Sequence, residues 1–420
     1  MKSSAPSRVV SFAEANRIVR EHAEFLGRHV IASEQTVPLL QSLGRVLAEP
    51  IRADRDQPPF PRSTRDGFAC RAADLNAGGR LKIIGQIPAG AAPFPFGVAE
   101  GEAIEIMTGA PVPSGADCVV MIEHVELDNG AVRLLDRGQD TAVAPGANIV
   151  PAGAEVGSGE VILPAGTRMA AAQIAAAAAC GFAKVSVLAR PRIAIVATGD
   201  ELVEVGQMAL PHQIRNSNSY SLAAQILTVG AEPVRLAIAR DDAAHLKGLI
   251  HTALEADLML LSGGVSMGKY DLVEQVLLSM GAEFFFTGAL IQPGKPVVFG
   301  RFAESDRPRY FFGLPGNPVS TMVTFSLFVE PLLCAFGLRP ASRLAQARLK
   351  EDFRTKTGLT RFLPAILDAD PEQYPLAPVV ERIAWQGSGD VAATSRANCF
   401  LVVPADRELL RAGETVTVLL

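Results

Sequence analysis

Between residues 190 and 336, apolar β-branched runs alternate with helix-length segments, and nothing else in the chain limits its fold as strongly. The runs are Ile193–Ala197, Pro233–Ala237, Leu258–Leu261 and Tyr310–Gly313, with helical patterns between and after them at about 217–229, 242–255, 271–280 and 317–335. A strand, a helix and a second strand return the chain parallel to itself. The repeat therefore predicts a doubly wound α/β domain with a largely parallel sheet over residues 189–337. A sheet of that kind binds its ligands beyond the carboxyl ends of its strands.

Three motifs fall at such ends. Ala197-Thr198-Gly199-Asp200-Glu201-Leu202 follows the first run with two adjacent carboxylates, which can hold a hard cation or orient a water. The plainer role is a turn in which Asp200 caps backbone amides. Ser262-Gly263-Gly264-Val265-Ser266-Met267-Gly268 follows the third run and leads to a helix near Asp271. Adjacent glycines let N–H groups face an anion, and a helix start adds its dipole. Lys269 is followed by Tyr270, so this is no Walker A loop, and the chain has no GxGxxG dinucleotide fingerprint. Gly313-Leu314-Pro315-Gly316-Asn317-Pro318-Val319-Ser320 follows the fourth run, where Asn317 and Pro318 fit an N-cap and a first helical residue without any ligand. Nearby, Lys295 of Gln292-Pro293-Gly294-Lys295-Pro296 is a phosphate contact or an ordinary solvated lysine. In Arg240-Asp241-Asp242, Asp242 fits the N-cap of a helix that starts at Ala243.

The remaining chain is of a different kind. Ser11 with Glu14 forms a capping-box pattern, which predicts a helix to about Gly27. Short β-favouring runs separated by Pro/Gly clusters make 51–145 a β-rich insertion domain. Residues 1–50 and 146–188 then form a discontinuous, elongated helical and stranded N-terminal domain, and 338–420 a small β-barrel or sandwich. Within the insertion, the proline-stiffened loop Pro58–Ala69 sets two arginines and two hydroxyls around Asp66, a plausible site for anion and cation together. Met107-Thr108-Gly109-Ala110-Pro111 is a second rigid loop, with one hydroxyl.

Composition removes several classes. With 39 Lys+Arg against 44 Asp+Glu, the net charge of −5 offers no field for nucleic acid. Apolar residues make up 49% and charged ones 20%, enough for a large core. Five scattered cysteines without a CxxC pair read as buried, reduced thiols in a cytoplasmic protein, not as a zinc site. The N-terminus has no apolar run of signal-peptide length. The most apolar window, Ala170–Ala189, is interrupted by Gly181 and Lys184 and reads as a buried or amphipathic helix sooner than a membrane span.

Together the motifs PPFPRSTRDGFA, IMTGAPVPSGADCVVMIE, GANI, PRIAIVATGDELV, ARDD, LSGGVSMGKYD, QPGKPVVFG and FFGLPGNPVS resemble, in order, the molybdopterin molybdenumtransferase family. The resemblance implies a substrate, molybdopterin joined to AMP through a pyrophosphate, and insertion of molybdenum from molybdate with Mg²⁺, releasing molybdenum cofactor and AMP. It also implies a C-terminal barrel and a homodimer in which each cleft takes loops from both subunits. Carried over residue by residue, it makes Asp66, Thr108, Glu201, Asp241 and Asp271 the reacting positions, with Glu201, Asp241 and Asp271 around the magnesium. Ser262, Gly263, Gly264, Ser266, Lys295, Pro315, Gly316, Asn317 and Ser388 are the implied substrate contacts. The molybdopterin adenylyltransferase is an implied partner.

The chain departs from the family pattern where N-I-R-R-x-G-E-D becomes Asn148-Ile149-Val150-Pro151-Ala152-Gly153-Ala154-Glu155, and where G-R-x-x-F-x-R becomes Gly358-Leu359-Thr360-Arg361-Phe362-Leu363-Pro364. The arginines missing at Val150, Pro151, Leu359 and Pro364 each remove an oxyanion contact. The competing readings are a paralogue that binds molybdopterin without turnover or prefers tungstate, and an adenylyltransferase. Against the adenylyltransferase, the loop reads SGGVSMG where that family has SGGTG.

Overall fold

The computed structural model describes residues 8–29, 33–92, 95–135, 142–264, 272–302, 308–338, 344–368 and 377–420. They form two compact units, one of Met1–Gln35 with Leu188–Leu420 and one of Thr36–Val187.

The first unit is built on a six-stranded sheet ordered Glu232–Arg235, Arg192–Ala197, Leu258–Ser262, Arg309–Leu314, Val298–Phe302, Ala282–Phe286. The first four strands are parallel and correspond to the four runs read from the sequence. The last two add an antiparallel edge that the strand–helix alternation did not announce. Side chains alternate across the sheet, as a period of two requires. Ile193, Ile195, Leu258, Leu260, Tyr310 and Phe312 share a core with helices Phe12–His29, Ser217–Val229 and Pro318–Thr324. Ala194, Val196, Met259, Leu261 and Phe311 pack on the other face with helices Ala243–Ala253 and Leu272–Ser279. A parallel sheet covered on both faces needs apolar residues at every position, which is why these strands read as continuous runs.

Helix Phe12–His29 starts with half of the expected capping box: Ser11 Oγ accepts the Glu14 N–H at 3.1 Å, while the Glu14 carboxylate pairs with Arg8. The sequence grouped this helix with residues 36–50. Its apolar stripe Ala15, Ile18, Val19, Ala23 and Leu26 is instead buried in the core of the α/β sheet. The stretch Pro318–Phe336 has a mean hydropathy of 1.7, long and apolar enough to cross a membrane, but 72% of it is buried in the protein. It is a core helix. The alanine-rich window instead supplies the short helix Ala171–Ala179, in which Ala177 alone is buried, and the strand Lys184–Leu188.

The barrel is closed by five strands, Thr360–Asp368, Val379–Arg382, Leu344–Leu349, Thr415–Leu419 and Cys399–Val403, the last pairing back to the first. Ala347, Leu363, Ala365, Leu401 and Val418 fill it. Several contacts join it to the α/β domain, and Phe362 and Leu419 enter that domain's core. Ile291–Gln292 pairs in parallel with Thr360–Arg361, and the Val319 N–H donates to the Ser388 carbonyl at 3.0 Å.

The unit Thr36–Val187 carries a second six-stranded sheet, ordered Cys118–Met121, Gly67–Cys70, Glu102–Ile106, Leu81–Ile87, Ala131–Leu134, Val125–Asp128. Apolar clusters cover both of its faces. A further cluster joins Val37, Leu47 and Ile51 to Leu163, Met169, Val185 and Val187. None of the five cysteines is in a disulfide; four are buried, while Cys334 is exposed, contrary to the uniform burial expected.

Candidate functional site

Strand Arg192–Ala197 lies between its two successors in the chain, Glu232–Arg235 on one side and Leu258–Ser262 on the other. The connections leave in opposite directions, which opens a crevice at the carboxyl ends of Arg192–Ala197 and Leu258–Ser262. The loops at Thr198 and Gly263 flank it. They are tied together by the Thr198 N–H, which donates to the Ser262 carbonyl at 3.0 Å, while the Gly263 N–H donates to the Leu314 carbonyl at 3.2 Å and joins the second loop to the end of the next strand.

Glycine is required in this loop. Gly263 and Gly264 have φ of +89° and +63°, and a Cβ on either would lie 2.6 Å from an oxygen of Thr198. The glycine pair that the sequence offered as an anion cradle thus lets two loops approach closely at the strand ends. Ser266 and Asp271, the other candidates on this loop, lie outside the described residues.

On the acidic side, Glu201 and Asp241 are exposed. Glu201 folds back over Gly199, where any side chain would collide with its carboxylate. Asp200 takes the plainer role, its Oδ1 accepting the Asp241 N–H at 3.3 Å and joining the two acidic loops. Asp242 caps helix Ala243–Ala253 by accepting the His245 N–H at 2.7 Å. Among the described residues no three His, Cys, Asp or Glu side chains form a ready-made metal cage.

The third loop closes the crevice. A Cβ on Gly316 would sit 3.7 Å from the Gly263 Cα, and Thr321 Oγ1 holds the Pro315 carbonyl at 2.5 Å. Asn317 occupies the N-cap position, yet its exposed side chain makes no capping bond. The local explanation for that residue is therefore incomplete. Lys295 is exposed on a turn whose Gly294 packs against Ser320 and Thr324. Ser388, half-buried, reaches the same helix start through its carbonyl bond to Val319. Sequence reading missed Asn218, whose side chain spans Ser262 and Gly316. It stands in the polar run Asn216-Ser217-Asn218-Ser219 at a helix start, where capping alone would account for it.

The two remaining candidates belong to the other unit and meet there. Asp66 Oδ1 accepts the Thr108 N–H at 2.6 Å and the Thr108 hydroxyl at 2.8 Å. Those two bonds, the backbone one first, hold the Asp66 carboxyl below the usual carboxylate range. It is exposed and negatively charged at neutral pH. In the same unit Arg62 pairs with Glu155 at 2.8 Å, which gives the altered acidic position a partner from the Asp66 loop.

Three family models match in succession: MoeA N-terminal region (domain I and II) over residues 10–181, probable molybdopterin binding domain over 194–335, and MoeA C-terminal region (domain IV) over 346–420. The chain is 35% identical to a molybdopterin molybdenumtransferase of Bacillus subtilis, covering 91% of this chain and 89% of that protein. It is 32% identical to one of Synechocystis, covering 97% and 98%. Among solved structures, a molybdopterin biosynthesis MoeA protein from Pyrococcus horikoshii is 34% identical, with a TM-score of 0.76 over 98% of this chain and 99% of that one. Motif order, three domain matches and full-length similarity agree: the chain belongs to the molybdopterin molybdenumtransferase family.

Proposed function

We propose that the protein inserts molybdenum from molybdate into adenylated molybdopterin, cleaving the pyrophosphate and releasing molybdenum cofactor and AMP. The observation that carries this reading is the convergence of the Thr198, Gly263 and Gly316 loops at the switch point of the sheet, with exposed carboxylates on one side and Lys295 on the other strand-end loop. Glycine backbone at Gly263 and Gly264 lets anionic oxygens approach N–H groups closely. Lys295 adds a point charge for a phosphate. Asn317, with its side chain uncommitted to capping, has donors and an acceptor for a polar ligand.

The donor set fits magnesium, because the acidic positions offer only oxygen. Glu201 and Asp241 would hold the ion together with Asp271, and when bound it would neutralise charge on the anhydride. Asp66, kept ionised by Thr108, orients a cationic or hydroxyl group and does not act as a proton donor at neutral pH. The reading includes a homodimer with clefts shared between subunits, an adenylyltransferase as source of the substrate, and action in the cytoplasm.

The test is incubation with adenylated molybdopterin, molybdate and magnesium while AMP is followed. AMP release that requires molybdate supports the reading. Tight binding without release points to a paralogue that has lost turnover, and release with tungstate in preference to molybdate changes the metal assigned.

A further inference from the structure

Asn218 lies in the first turn of helix Ser217–Val229. Its Nδ2 donates to Ser262 Oγ at 3.0 Å and to the Gly316 carbonyl at 2.8 Å. One side chain thus joins the first helix of the α/β domain to two of the three loops at the crevice. The amide orientation follows from chemistry, since the Gly316 carbonyl can only accept and must face the NH₂ group.

Two consequences follow for the site. Ser262 is 2% exposed, and its Oγ receives a hydrogen bond from Asn218. The hydroxyl proton is thereby turned away from Asn218, and no acceptor for it occurs among the described residues. Asn218 Oδ1 is itself buried without a partner. In the same turn Asn216, 2% exposed, caps the helix with its Oδ1 while its Nδ2 is also unpartnered. Buried polar atoms left unpaired are costly and rare, so the uncommitted Ser262 proton and Asn218 Oδ1, set between two loops of the crevice, mark a place where a ligand completes the bonding.

We propose that Asn218 is a positioning residue of the substrate site. It fixes the distance between the Ser262 and Gly316 loops, and it makes the Ser262 hydroxyl an obligate donor toward an anionic oxygen of the bound molecule. This rests on the strand-end crevice being the substrate site, as in the function proposed above. It adds a requirement that the glycine loop alone does not contain: the oxygen that enters must be an acceptor. Asn218→Asp tests this sharply. The carboxylate keeps the shape, repels the Gly316 carbonyl, and accepts the Ser262 proton, which reverses the hydroxyl.

The experiment measures binding of inorganic pyrophosphate and of adenylated molybdopterin by calorimetry, and kcat and KM for AMP release, on Asn218→Asp, Asn218→Ala, Ser262→Ala and the Asn218→Ala/Ser262→Ala double variant. Far-UV dichroism and melting temperature confirm folding. Asn218→Asp is expected to weaken pyrophosphate at least tenfold, and KM to rise more than kcat falls. The double variant is expected to bind no more weakly than the weaker single variant, because Asn218 acts through Ser262. Additive losses, or an Asn218→Asp protein that folds and binds both ligands as the unmodified chain does, would overturn the proposal. Should Asn218→Asp fail to fold, the same decision comes from whether Asn218→Ala and Ser262→Ala losses add. Pyrophosphate binding that responds to these variants, with no AMP release by the unmodified protein, would support the role of Asn218 and remove the proposed reaction. Binding of neither ligand would remove both.

Discussion

Gly263→Ala puts the crevice geometry to a quantitative test. At φ +89° an alanine pays the left-handed penalty, about 1–2 kcal/mol. Its Cβ would also lie 2.6 Å from the Thr198 carbonyl oxygen, several tenths of an ångström inside normal contact. That carbonyl cannot yield easily. The Thr198 N–H is bonded to Ser262, and Thr198 bridges Ala239 on its other side. Strain of this kind adds a comparable amount, so the total is roughly 2–4 kcal/mol. At about 2–4 °C per kcal/mol for a unit of this size, the melting transition should fall by roughly 4–16 °C. KM for AMP release should rise as well, because the alanine pushes the loop from its neighbour. Gly206→Ala is the control, with open space around it and no positive φ, and should move the transition by no more than about 1 °C. Differential scanning calorimetry on both variants decides the matter. A Gly263→Ala protein that melts with the control and keeps its KM refutes the close approach of these loops.

Gly248→Ala, on the exposed face of helix Ala243–Ala253 with nothing near it, should stabilise by about 0.5–1 kcal/mol in thermal or urea unfolding, and a loss of stability would show that the position is not free. His22 stacks on Phe285 and meets the Tyr310 hydroxyl through Nδ1 at 3.1 Å, and burial followed by Arg301 lowers its pKa against the smaller pull of Glu283 and Glu21. The unfolded chain then binds more protons between the two pKa values, so this contribution is complete above the ordinary value of 6.5 and is lost as pH falls through the folded one. Melting of the unmodified protein between pH 7.5 and 5 should therefore slope more steeply than that of His22→Phe, and equal slopes would discard the assignment. Glu201→Ala, at an exposed position, should fold normally and release no AMP; wild-type release would remove Glu201 from the reaction. For a shared cleft, mixing Glu201→Ala with Asp66→Ala subunits should restore activity, and demonstrated exchange without recovery would count against it.

The sequence made the parallel strands legible because each is buried on both faces and must be apolar throughout. The edge strands Ala282–Phe286 and Val298–Phe302 were harder to see, since they pair antiparallel and return without an intervening helix. Three barrel strands were visible, while Leu344–Leu349, which mixes alanines and polar residues, and the four-residue Val379–Arg382 carried too little alternation. Helix Phe12–His29 was identified as a helix but grouped with residues 36–50, since an amphipathic stripe reports that a face is buried and not what buries it. The acidic and glycine-rich motifs were recognisable by type and by resemblance. What the residues could not reveal was pairwise geometry: Asp66 held by Thr108 from 42 residues away, or Asn218 held between Ser262 and Gly316. Those bonds exist only once distant loops have been brought to one place.

The contact between the Val319 amide and the Ser388 carbonyl assigns the two helix starts at the crevice to different tasks. An α-helix opens with several uncommitted N–H groups, and these make it attractive to phosphate. In the helix after Asn317, the first position is Pro318, which has no N–H, and the second is already bonded to the barrel. The Ser388 oxygen therefore sits where an anion would and acts as a built-in surrogate ligand. In the proposed function, the glycine loop on the neighbouring strand is then the backbone site left for a phosphate group. An α/β domain cut away from its barrel would uncover the Val319 amide and leave that helix start open to an added anion.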